Sequence, residues 1–121
     1  MKLICSNQQL IDVFSDKNTL LDGEIKKIEI FKDSDSSVSI NIDFYMRSSS
    51  DFKEVQLRFI GCKEYSFSYM SSYYFYNVEL VKLLQNDDGF FYISFDPSEE
   101  CKFISDDDQD IILCEGISAY H

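Results

Sequence analysis

The chain has 121 residues, 45% apolar and 16% aromatic, and carries a formal charge of −11 at pH 7. That length predicts one domain, 1–121, with a single core, and the apolar content excludes a disordered chain. The acidic excess excludes nucleic acid and anionic membrane surfaces as partners, because both demand positive charge.

The first element is a short helix over residues 6–16. Ser6 is placed to cap it, and Leu10, Ile11, Val13 and Phe14 give it a partly one-sided apolar face. Asp22-Gly23 signals a turn. The period then changes to two. Ile28 and Ile30 alternate with charged residues across a strand over 24–32. Val38, Ile40, Ile42, Phe44 and Met46 alternate with Ser39, Asn41, Asp43 and Tyr45 in a second strand. The polar run Asp33–Ser37 joins the two as a hairpin. A third strand centres on Val55, Leu57 and Phe59. Gly61 is read as its end, and Tyr65, Phe67 and Tyr69 as a fourth strand facing the core.

Residues 73–85 fit a short helix or an irregular strand equally well. Asn86-Asp87-Asp88-Gly89 is a turn before a strand over 90–95, which Asp96-Pro97 stops. A short segment lies around 101–104, and a last strand runs over 110–120. Together these predict a mainly β fold: an antiparallel meander of six to seven strands, curled or folded into a sandwich, with a short N-terminal helix. A compact α+β layer fold is the alternative.

The chain offers little catalytic chemistry. Its one histidine, His121, is the last residue, where fraying is expected. A histidine-dependent triad or a multi-histidine metal site is not expected. The four glycines are isolated, so no phosphate-cradling loop is present. No glycine sits at the sixth position of a calcium loop with oxygen ligands at positions 1, 3 and 5. No catalytic residue, cofactor or metal is therefore expected, and the chain is read as a non-enzyme. Cys5, Cys62, Cys101 and Cys114 lack the close spacing of a zinc knuckle or redox dithiol. They are read as reduced and mostly buried. No run near the N-terminus has the length of a secretory signal, and the charge-free stretch 65–78 is too short to span a bilayer. The expected location is cytoplasmic, away from membranes.

Binding chemistry is better represented. Residues 96–121 hold eight acids and a single base, Lys102. Such a concentrated negative field speeds capture of a basic protein. Asp106, Asp107, Asp108 and Asp110 form its densest part and are read as an exposed turn that steers the partner. A surface that serves only solubility is the bland alternative. Tyr73, Tyr74 and Tyr76 lie in a tyrosine-rich segment without Lys or Arg. They are candidate contact residues, because Tyr provides large contact area with a hydroxyl.

Three stretches carry a family resemblance: Leu21-Asp22-Gly23-Glu24-Ile25-Lys26-Lys27-Ile28, Val55 to Cys62, and Tyr92 to Pro97 followed by Ser105 to Ile112. In their order the chain resembles small bacterial proteins found among the immunity proteins of polymorphic toxin systems. The resemblance implies a cytosolic single domain that neutralises a toxin by binding it, and brings no catalytic residues. The expected partner is then a basic toxin domain. A scaffold or regulatory subunit of another complex, or a small-ligand-binding β domain, are the alternative readings. Oligomeric state is left open.

Overall fold

A computed structural model describes residues 1–72 and 76–121. The elements in chain order are β1 (Leu3–Ser6), α1 (Asn7–Val13), β2 (Glu24–Lys32), β3 (Val38–Tyr45), β4 (Glu54–Ser66), β5 (Lys82–Gln85), β6 (Phe91–Asp96) and β7 (Gln109–Tyr120). The mainly β expectation holds: the strands form one open antiparallel sheet with one short helix. The sheet order is β2-β3-β4-β7-β6-β5, with β1 also on β7. This is not the single meander expected. Two three-strand meanders lie side by side, joined through β4 and β7, the longest strands at 13 and 12 residues. Pairing these two gives the longest available ladder and buries it centrally.

One face of the sheet carries the core. Ile40, Ile42 and Phe44 of β3, Val55, Leu57 and Phe59 of β4, and Phe91, Ile93 and Phe95 of β6 are all buried there. Leu10 from α1, with Phe14 and Leu20 after it, covers them. The rings of Phe44 and Phe95 meet at 5.8 Å between centroids. Three strand spacings separate β3 from β6, about 14 Å in a flat sheet, so the sheet bows around its apolar face.

Gly61 does not end a strand. It sits inside β4 with φ +63, a conformation that glycine adopts without steric cost. The ladder with β7 shifts register between Cys62 and Glu64, just beyond it. Burial on β7 slips at the same level, alternating through Ile112 and Cys114 and then through Ile117 and Ala119. β4 therefore bulges and runs on past the core. Tyr65 and Tyr69 accordingly lie 44% and 67% exposed rather than in the core, with Phe67 half-buried.

Other expectations need correction at the termini and in the second half. β1 was not legible, because Leu3-Ile4-Cys5 is too short to show a period. α1 is shorter than expected. Ser6 precedes it without a side-chain capping bond; its hydroxyl pairs with that of Ser118 at 3.0 Å. Asn7 instead accepts the Ile117 N–H at 3.0 Å on Oδ1, where β7 has neither β6 nor β1 beside it. His121 is not frayed: its backbone exchanges two hydrogen bonds with Lys2, and its ring lies 5.2 Å from that of Phe52. Residues 82–85 resolve as the edge strand β5, and the short segment around 101–104 has bends at 101–103 and no regular element.

Candidate functional site

The second face of the sheet is covered at one end by residues 97–108. On this face Lys82 of β5 pairs across to Ser94 of β6, and Leu84 to Tyr92. A lysine between Val81 and Leu83 at a strand edge would ordinarily reach solvent. Here it is 2% exposed. Its Nζ donates to both carboxylate oxygens of Asp108, at 3.0 and 2.9 Å, and to the Phe103 carbonyl at 2.7 Å. Both side chains of this ion pair are wholly buried.

Asp108 is the hub of the arrangement. Oδ1 also accepts the Ser98 N–H at 3.0 Å, and Oδ2 accepts the Ser105 N–H at 3.0 Å and the Tyr92 hydroxyl at 2.8 Å. Burial on its own would raise the Asp108 pKa. The hydrogen bonds from Lys82, the Ser105 and Ser98 amides and Tyr92 outweigh it and hold the carboxyl down at about 2. Burial first, then the hydrogen bond to Asp108 and the charges of Asp108 and Glu64, push the Tyr92 phenol well above its ordinary range. Tyr92 therefore stays protonated and donates. Every oxygen of Asp108 is occupied, so the cluster lacks the free lone pair that a general base requires. It acts as a lock that fastens the 97–108 segment to the sheet.

The expected steering turn divides in two. Asp106 and Asp107 are exposed. Asp108 and Asp110 are not surface charges: Asp110 is 2% exposed and accepts the Ser68 N–H at 2.9 Å. The two inward aspartates hold neighbouring backbone, because amides left by two loops converge on them. Tyr76 is exposed, at 42%, and its carbonyl accepts the Ile25 N–H at 2.7 Å. Tyr73 and Tyr74 lie outside the described residues. Tyr76 sits beside the start of β2, through the Ile25 contact and the Glu24–Asn77 bridge, on a different element from the acidic turn.

Sequence reasoning missed Lys82, Tyr92 and Phe103. The one available signal was a single lysine inside Val81-Lys82-Leu83-Leu84. Phe103 stands 78% exposed and Ile104 44% exposed on the locked segment, next to Asp106 and Asp107. Beside them a cleft of about 280 Å³ opens on the same face, with Glu64, Ser66 and Asp106 as polar lining and Ile104, Ile111 and Leu113 as apolar lining. Among the described residues no group of three or more His, Cys, Asp or Glu is placed to hold a metal ion. No helix among them is long and apolar enough to cross a membrane. Comparison with family models, with curated proteins and with solved structures finds no match to this chain.

Proposed function

We propose that this chain is a non-enzymatic binding module that holds a basic protein partner through the locked 97–108 segment, in the manner of an immunity protein that neutralises a toxin domain. The observation that carries this reading is Phe103. Its ring is exposed, while its own carbonyl is gripped by the buried Lys82. An exposed aromatic on a mobile loop is unremarkable. One on a segment pinned by a buried ion pair is preorganised, so little ordering cost falls on association. Aromatic anchors of this kind dominate interface energetics. The exposed carboxylates of Asp106 and Asp107 supply a polar rim and select a basic partner by charge.

The test is co-expression with the product of the gene adjacent to this one. Protection from growth arrest, together with a complex on size exclusion, is the expected result. Phe103→Ala should abolish protection while leaving the fold intact, since its side chain is mostly in solvent. A complex unaffected by Phe103→Ala would move the interface elsewhere. Absence of both protection and complex would overturn the immunity reading.

A further inference from the structure

Cys62 on β4 and Cys114 on β7 are direct register partners in the central ladder. Directly opposite residues of an antiparallel pair project to the same face, with Cβ atoms about 4.5–5.5 Å apart. A disulfide needs Cβ atoms about 3.5–4.5 Å apart and Cα atoms about 4.4–6.8 Å apart. Closing the bond therefore asks for a contraction of roughly one ångström. Both residues carry free thiols, and Cys114 senses the charge of Cys62, so the two sulfurs lie within electrostatic reach. The ladder is also irregular at this level. Gly61 precedes Cys62 at φ +63, and the register shifts immediately after it. An interrupted ladder yields to a small movement more easily than a regular one. The remaining cysteines lack such a partner: Cys5 faces Ala119, and Cys101 lies outside the strands.

We propose that Cys62 and Cys114 form a dithiol site that a small-molecule disulfide, such as oxidised glutathione, converts to a cross-strand disulfide joining β4 to β7. Cys62 is half-buried and is the entry thiol, whereas Cys114 is wholly buried and resolves. The Cys62 thiolate attacks one sulfur of the small disulfide, forming a mixed disulfide and releasing one thiolate. The Cys114 thiolate then attacks the Cys62 sulfur and expels the second. The protein loses two electrons and two protons, and the small disulfide is reduced to two thiols.

Burial, with the charge of Asp33, pushes the Cys62 thiol up to about 11. Burial, with the charge of Cys62, pushes Cys114 up to about 12. Only the thiolate reacts, so crosslinking is slow at neutral pH and accelerates about tenfold per pH unit below these values. The bond would lie beside Glu64 and Leu113, register partners in the same ladder that both line the cleft, and would stiffen that wall.

The test uses the native full-length chain incubated with oxidised glutathione at neutral and at mildly alkaline pH, then alkylated and mapped by peptide mass. The expected product is one linked peptide pair containing Cys62 and Cys114, forming faster at the higher pH and reversed by dithiothreitol. Cys5, which is buried, should stay free to alkylate, and Cys101 should carry at most a mixed disulfide with glutathione and no link to another cysteine. Cys101→Ser should leave the linkage unchanged. Glutathione retained on Cys62 with Cys114 still free to alkylate would overturn the proposal. So would loss of the linkage in Cys101→Ser, because the bond would then depend on exchange through the 97–108 segment.

Discussion

Asp108 serves five donor groups from three places in the chain: the Lys82 ammonium, the Tyr92 hydroxyl, the Ser98 amide and hydroxyl, and the Ser105 amide. Lys82 serves two acceptor groups, Asp108 and the Phe103 carbonyl. Breaking a buried ion pair from one side typically costs about 3–5 kcal/mol, because an uncompensated charge remains. The asymmetry of partners predicts an order. Asp108→Ala should destabilise more than Lys82→Met, since the methionine variant leaves the carboxylate with its amide and phenol donors. Urea unfolding of the two variants checks this, and equal losses would reduce Asp108 to a simple counter-ion. By contrast, Asp106→Asn and Asp107→Asn should stay within about 0.5 kcal/mol of the parent.

The same residue sets an acid limit. The Asp108 pKa is lowered in the fold, from an ordinary 3.8 to about 2. A carboxyl depressed in this way contributes its stability fully above the ordinary value and loses it as pH falls through the folded one. Stability should therefore decline between about pH 4 and pH 2, and Asp108→Asn should flatten that part of the profile. Urea midpoints measured across this range decide the matter, and an unchanged slope in the variant would assign the acid sensitivity to other carboxylates.

At the scale of elements, the informative places are where ladders are interrupted. Gly61 holds φ +63, and a Cβ there would lie 2.6 Å from a Glu115 carboxylate oxygen. That oxygen ends a flexible side chain and can move. The backbone conformation cannot change without losing the bulge. Gly61→Ala should therefore cost about 1–2 kcal/mol, the ordinary penalty of a left-handed conformation for a residue with a Cβ. Asn7 covers the other interruption, by accepting the Ile117 N–H. Asn7→Ala should cost about 1–3 kcal/mol, because that amide sits on a buried residue and loses its acceptor. Thermal denaturation of the two variants measures both effects. α1 has seven residues and no side-chain capping bond, so its stability comes from packing Leu10 rather than from helix propensity.

At the scale of the molecule, a net charge of −11 acts on encounter more than on the bound complex. With the exposed Glu99, Asp106 and Asp107 of the 97–108 segment neutralised as Gln, Asn and Asn, association with a basic partner should slow at low salt and converge with the parent at high salt. Exposed charges are screened over about 8 Å at physiological ionic strength. Phe103→Ala should act mainly on dissociation, because an anchor is engaged only after encounter. Stopped-flow measurements with the co-expressed partner separate the two. An on-rate that ignores the three substitutions at low salt would leave these acids a solubility role.

The sequence by itself determined the strands whose faces differ. Val38–Tyr45 alternates apolar and polar residues because one face is buried and the other is wet, and a period of two records that difference directly. The turn at Asn86–Gly89 was legible for a similarly local reason, since Gly89 takes φ +87 and Asn86 Oδ1 accepts the Asp88 and Phe90 amides. Tertiary structure alone decided the rest. The strand at Phe91–Asp96 was bounded by its turn and by Asp96-Pro97, but it carries no alternation, so only the fold shows that both its faces are covered. Whether Gly61 ends β4 or bulges it depends on β7, which enters the chain some fifty residues later. Asp106 and Asp108 are the same residue type two positions apart, yet one faces solvent and the other is enclosed. Lys82 and Tyr92, brought over by the β5–β6 hairpin, and the Ser98 and Ser105 amides distinguish them, because a carboxylate enters an interior where charge or donors satisfy it.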